Sequence, residues 1–328
     1  MTALAFAIAV TAVGCTSTGS RTESRSGAHR DWKGSCGPLS YDEVRGREPK
    51  HLDRRALARF RNDRAVCAGV WLRPGRGFVP QGLVVHAGTA WVSGFNAGAP
   101  LGERYCVVEQ VDLRTGRRLN RLDPVSGSVG DRDPVMCRHG GGLVQDDHGL
   151  WLVETTRLWL VDPDSLEVRR AWVLAGELRG SFALVDAAGR LCVGRWYPRR
   201  PGQVDWFDTD HLVDSPALDL TVGMAEDSSP APRATQGAVW GAPGGGRDTA
   251  WFAQSVTRCG VLVGPEGTRR RAFVPGAEGM DLAGRSLWVV SESGTRHYQA
   301  MGGRPVVPML VRLELRDFDS WRRPDCSV

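Results

Sequence analysis

Glu154, Glu278 and Glu292 carry the chemistry this chain could most readily perform, and two kinds are open to them. Joined by Gln81, Asn96 and water, they would offer the roughly six to eight oxygens that a calcium ion takes, which makes the three glutamates the candidate metal ligands. With His139 as partner, Glu278 or Glu292 would instead serve as a general base once partly buried. Arg195 and His139 stand at equivalent positions and weigh against a cation. His139-Gly140-Gly141-Gly142 has the composition of an oxyanion loop, yet the chain holds no G-x-S-x-G elbow to supply a nucleophile. The run reads better as the start of a strand. The eight cysteines include no C-x-x-C, which argues against a zinc cluster.

That equivalence of positions comes from a repeat. Five stretches share a small residue, a short apolar run, a turn and a second apolar run with a large or buried anchor. They are Gln81-Gly82-Leu83 to Trp91, Gly141-Gly142-Leu143 to Trp151, Phe182-Ala183-Leu184 to Cys192, Gln236-Gly237-Ala238 to Trp251 and Glu278-Gly279-Met280 to Trp288. In four of them the small residue lies nine positions before the anchor; the insertion Gly241 to Arg247 lengthens the other. Strand-only units of roughly 40 to 45 residues cannot bury their own apolar faces and stack radially as propeller blades. The expected fold is therefore all-β, a β-propeller of five blades with six kept open. The tryptophans should pack between blades. Asp-rich turns after the third strands, as in Val111-Asp112-Leu113-Arg114-Thr115-Gly116 and Val161-Asp162-Pro163-Asp164-Ser165, read as hairpin chemistry.

In a propeller the innermost strand leaves one mouth of the channel and the second strand returns to it. The leading positions at that mouth are Gln81, His139, Ser181, Gln236 and Glu278. The returning positions are Asn96, Glu154, Arg195, Gln254 and Glu292. Together they are the candidate ligand-binding residues. Long connections after the second strands, Phe95 to Tyr105, Trp196 to Gln203 and Ser293 to Pro308, should surround the same mouth and carry Tyr105, Arg199, His297 and Tyr298.

The chain divides into residues 1–15, a signal peptide; 16–35, a disordered linker; 36–65, a helical segment; and 66–328, the propeller. Met1 to Gly14 is almost wholly apolar and too short to span a bilayer as a helix, and Ala12-Val13-Gly14-Cys15 resembles a lipobox, making Cys15 the expected lipid attachment site. Val66 to Arg73 looks like an outer strand without a blade, while the fifth blade lacks one, so the N-terminal strand should close the ring. Export permits disulfides. Cys36 and Cys326 flank the repeats and could tie the ends together, Cys106 could pair with Cys137, and one thiol must remain over. Net charge is only +5, from scattered arginines with Lys33 and Lys50 the only lysines, and no basic stripe alternates with aromatics. Nucleic-acid binding is not expected.

Glu278-Gly279-Met280 followed by Ser286-Leu287-Trp288-Val289-Val290-Ser291-Glu292 resembles the blades of extracytoplasmic bacterial propellers of the esterase-like phytase and gluconolactonase type, and Val153-Glu154-Thr155 is a weaker copy. As a whole the chain resembles secreted propeller lipoproteins of actinobacteria. The resemblance implies a metal or small-molecule site at the channel mouth built on Glu278, Glu292 and Glu154; Arg195 and Gln254 depart from its acidic pattern. The leading expectation is a membrane-anchored, monomeric, extracytoplasmic propeller that binds a small molecule or envelope protein without a cofactor. A calcium-dependent hydrolase of lactonase or phosphoesterase type and a structural envelope protein are the alternatives.

Overall fold

The apolar runs of this chain are buried from end to end rather than on alternate residues; Gly149–Val153, for example, is buried throughout. A strand of that kind needs protein on both faces of its sheet, and radial stacking of sheets supplies it. In the structure, a computed structural model that describes residues 36–52, 56–73, 77–302 and 306–328, five antiparallel blades do this.

Blade one is Phe78–His86, Thr89–Asn96, Cys106–Asp112 and Arg117–Leu122. Blade two is Gly142–Asp146, Gly149–Val153, Arg157–Val161 and Val168–Leu174, and blade three is Phe182–Val185, Leu191–Arg195, Gly202–Phe207 and Asp227–Ala231. Blade four is Thr235–Gly241, Thr249–Val256, Cys259–Val263 and Arg270–Phe273. Blade five is Ala277–Ala283, Ser286–Ser291 and Leu310–Glu314, completed by Val66–Val70 from the N-terminal side, where Val66 lies opposite Leu313 and Val70 opposite Leu310. The expected five blades and the N-terminal closing strand are both present.

Each interface between blades is one apolar core, and the repeated anchor sits in it. Trp91 packs with Leu150 and Trp159 of blade two, Trp151 with Val193 and Phe207 of blade three, Trp251 with Val289 and Leu313 of blade five, and Trp288 with Val92 and Val107 of blade one. Cys192 takes that place in blade three, against Phe252 and Val261 of blade four.

The repeated small residue has a different task. A Cβ on Gly82 would lie 2.7 Å from the amide nitrogen of Leu143, one on Gly142 2.6 Å from that of Ala183, and one on Gly237 2.2 Å from the carbonyl oxygen of Glu278. On Gly279 it would lie 2.7 Å from the carbonyl oxygen of Gln81. The inner strands thus meet backbone to backbone, and only glycine, or Ala183 in blade three, fits. This waist divides the axis into two cavities with no lining residue in common.

Two expectations change at the N-terminal edge. Residues 36–65 form three short 3-10 turns, Tyr41–Glu43, Lys50–Leu52 and Asp63–Ala65, and the strand Val44–Arg45, which pairs in parallel with the closing strand; among the described residues there is no α-helix here. Cys36 bonds Cys67 on the closing strand, and Cys326 bonds Cys259 in blade four, so each end is fastened locally instead of to the other. The cause is where the ends run: the Gly37 amide donates to Val66 O at 2.7 Å, and the Ala272 amide donates to Arg322 O at 2.9 Å on blade four's outer strand. Cys106 and Cys137 pair as expected, and Cys192 is the buried thiol left over. Three disulfides belong to an oxidising compartment. The signal, the linker and Cys15 lie outside the described residues; among those described, no helix is long and apolar enough to cross a membrane.

Candidate functional site

The mouth on the leading side of the waist opens into a cavity of about 480 Å³. All five leading residues line it: Gln81, His139, Ser181, Gln236 and Glu278. Their inward aim has a local cause that the sequence reading missed. Gln81 is an extra residue between the pairs Pro80–Gly94 and Gly82–Ser93, Gln236 an extra residue between Thr235–Gln254 and Gly237–Ala253, and Glu278 falls in the shift between Ala277–Ser291 and Met280–Val289. A bulge leaves its residue out of the ladder and re-aims the side chain. The readable signal is the polar residue directly before the invariant-position glycine in these three blades.

Only two returning residues reach the cavity, Arg195 and Glu292. Asn96 instead braces its own loop, donating to the Tyr105 hydroxyl at 2.7 Å and accepting from the Gly98 amide at 2.9 Å. Glu154 is buried with one oxygen held by Arg157 at 2.9 Å and Thr156 at 3.3 Å, and Gln254 donates to Arg233 O. Tyr298 from the blade-five connection lines the cavity, as do Thr155, Arg179 and Tyr197, which the sequence reading did not single out.

Blade five supplies an acidic wall. Glu278 and Glu292 are almost wholly buried. Burial pushes the Glu278 carboxyl well above the usual range, and the neighbouring Glu292 charge pushes it further. Burial raises Glu292 to about 7, against hydrogen bonds from the Tyr298 hydroxyl and Gln81, whose Nε2 lies 3.4 Å from Oε2. Tyr298 is set in place by the short helix Arg296–Ala300, which begins where the Thr295 hydroxyl donates to Glu292 O at 2.7 Å. Oε1 of Glu278 is buried and has no hydrogen-bond partner among the described residues. At neutral pH, then, one carboxyl of the pair keeps its proton while the other exchanges it.

Blade three supplies the basic wall. Arg195 is 7% exposed, donates to Glu177 O at 2.9 Å and to Asp205 at 3.2 Å, and keeps a buried Nε without a partner. Asp205 is itself fully buried and held by Gln203 at 2.8 Å and Ser228 at 2.6 Å, so the guanidinium is rigid. His139 stacks on Phe95 with ring centres 4.9 Å apart. Its edge is open to solvent, but the surrounding protein, and then the Arg104 charge, disfavour its protonated form, which leaves a neutral imidazole at pH 7.

The donor set expected for calcium is only partly assembled. Glu278, Glu292 and Gln81 meet, whereas Glu154 and Asn96 turn to other partners, and no cluster of three or more His, Cys, Asp or Glu suited to a metal ion occurs among the described residues. What the arrangement offers without a metal is a proton-bearing carboxyl pair facing a fixed guanidinium across a water-sized to sugar-sized space.

No protein-family profile matches the chain, and no curated protein matches it in sequence. Among solved structures it is similar to the PQQ-bound aldose sugar dehydrogenase of Streptomyces coelicolor, at 15% identity and a TM-score of 0.41 over 76% of this chain and 97% of that one. It is also similar to the calcium-binding protein regucalcin of Agrobacterium tumefaciens, at 15% identity and a TM-score of 0.44 over 74% of this chain and 95% of that one. At these values neither likeness speaks to activity, which has to be argued from the chain's own mouth cavity.

Proposed function

We propose that this protein is an extracytoplasmic β-propeller, tethered at Cys15, that binds a small polar ligand in the mouth cavity. The observation that carries the reading is the buried, unpartnered carboxyl oxygen of Glu278 in a residue that lines the cavity; Glu154 and Gln254 also hold an unpartnered oxygen but do not line it. An unmet buried acceptor costs about 1–3 kcal/mol, which a donor group of a bound ligand recovers. Hydroxyl and amine groups suit the carboxyl wall; a carboxylate or phosphate suits Arg195. Thermal unfolding of the purified chain against a panel of amino sugars, sugar acids and amino acids tests this. A ligand that raises the melting temperature of the parent and leaves Glu278→Ala unchanged supports the site; equal shifts in both proteins would place binding elsewhere.

One observation favours hydrolysis as a second reading. Glu278 holds its proton while Glu292 releases one near neutrality, and a pair of carboxyls driven apart in this way can act as acid and base. A lactone and phosphoester screen, with and without calcium, distinguishes the readings: turnover lost in Glu292→Gln would make the protein an enzyme.

A further inference from the structure

Exposed apolar side chains are gathered on one side of this propeller. Six large ones are exposed among the described residues, and five of them lie toward the mouth side: Leu101, Trp196 and Met301 on connections, Val256 at the end of its strand and Met136 in the hairpin that follows blade one, with Trp196 lining the cavity itself; Leu119, on blade one's outer strand, is the exception. Leu101 is 77% exposed and Met301 71%. Isolated surface apolar residues are ordinary, so what matters is their placement on a single face.

The loops that carry them touch. Arg138 donates to Gly102 O at 2.8 Å, joining the Met136 hairpin to the Leu101 loop, and Arg258 donates to Gly302 O at 3.3 Å, joining the Val256 turn to the Met301 turn. Exposed arginines accompany the apolar tips: Arg138, Arg179, Arg199, Arg200, Arg258 and Arg296. They outnumber the acidic residues on the same connections, Glu103, Asp123, Asp131, Asp133 and Glu177. The turns at the other end of the blades mix signs, Asp146, Asp147, Asp162, Asp164, Asp210 and Asp248 standing beside Arg114, Arg247, Arg269 and Arg285, with Asp162 paired to Arg169 and Asp210 to His148.

We propose that the mouth-side face docks on an anionic lipid surface, with Leu101, Trp196 and Met301 entering the interface and the arginines meeting lipid phosphates. Separate apolar tips spread over several loops, each near a guanidinium, suit a headgroup layer into which single side chains dip. A protein partner would call for one continuous apolar patch with few charges at its centre. The turns at the opposite end carry charges of both signs and no exposed large apolar side chain among the described residues, so the apolar tips select the orientation. The mouth cavity would then open toward the headgroups.

Flotation with phosphatidylcholine vesicles, with and without phosphatidylglycerol, tests the face. The protein is the chain from Cys15 onward carrying Cys15→Ser, which retains every described residue and has neither leader nor acyl group. Binding is expected to vesicles that contain phosphatidylglycerol and to weaken as salt rises. The triple variant Leu101→Ser, Trp196→Ser, Met301→Ser should lose about tenfold or more in vesicle affinity, given the apolar contribution to interfacial binding. Leu119→Ser should lose none, and unchanged melting temperatures confirm that both variants fold. Absent binding at low salt, or equal binding by parent and triple variant, overturns the proposal. So does self-association of the parent, without vesicles, that the triple variant abolishes, since a second copy would then cover the face. Ligand shifts measured without lipid are unaffected by these results, so the cavity reading stands or falls separately.

Discussion

Glu154 in blade two and Glu278 in blade five are both buried carboxyls near the mouth, and only Glu278 lines the cavity. Glu154 has Arg157 and Thr156 on one oxygen; burial raises its pKa and the guanidinium holds it back. Among the described residues no cation acts on Glu278, and the Glu292 charge adds repulsion. The same residue type at similar burial therefore fastens a turn in one blade and lines the cavity in another. One oxygen of each, Glu154 Oε2 and Glu278 Oε1, has no hydrogen-bond partner among the described residues, so the neighbouring charge and the cavity separate the two, and burial does not.

The comparison breaks most visibly if the partner is taken away. Arg157→Ala should leave Glu154 uncompensated and cost about 3 kcal/mol, the scale for breaking a buried pair, read from urea denaturation at pH 8. If the cost is negligible, Glu154 was never held by its arginine and the contrast fails. Nearly as large is the pH dependence of the unpartnered pair. Glu292 binds its proton more tightly folded than unfolded, so stability falls as pH rises from about 4.5 to about 7. At 1.36 kcal/mol per unit that amounts to about 3 kcal/mol. The double variant Glu278→Gln, Glu292→Gln should flatten this slope in denaturation curves between pH 5 and pH 8, with loops, strands and disulfides unchanged.

A smaller test moves the backbone that aims Glu278. Gly237→Ala sets a Cβ 2.2 Å from the Glu278 carbonyl oxygen. It should destabilise by about 2 kcal/mol, the range for overpacking, and should lower ligand affinity along with thermal stability. Smallest of all is Tyr298→Phe. It removes the hydroxyl that favours ionised Glu292, so the Glu292 pKa should rise, and ligand binding should weaken by about 1 kcal/mol if the pair must ionise. NMR titration of the Glu292 side chain reads the first effect directly.

The leading ring was legible because a small residue recurs nine positions before its anchor in four of the five blades, and backbone packing at the waist requires that small residue. The returning ring was half legible. Its positions sit at or near the ends of strands, where the following turn rather than register decides direction: Asn96 closes its strand and braces the long loop after it, and Glu154 belongs to a tight turn that brings Arg157 across. That last pairing could have been read from Glu154-Thr155-Thr156-Arg157 as oppositely charged residues facing over a short turn. Blade count and ring closure were readable because an outer strand without a blade and a blade without an outer strand fit each other. The cysteine pairing was not, since it depends on how irregular ends cross the outside of the ring. The bulges at Gln81, Gln236 and Glu278 are marked only by the polar residue directly before the glycine, a pattern that does not by itself say that the residue leaves the ladder.

The closing strand has a consequence for the order in which this molecule can be made. Val66–Val70 is synthesised before any blade, yet its hydrogen-bonding neighbour is Leu310–Glu314, which follows the inner strands of all five. Until those residues emerge, an apolar strand waits with an unpaired edge, which is the condition that invites mispairing between chains. Pairings over so long a sequence separation also make folding slow. A chain that stops before Leu310 would therefore lose more than one strand; it would leave Val66–Val70 without the blade it closes.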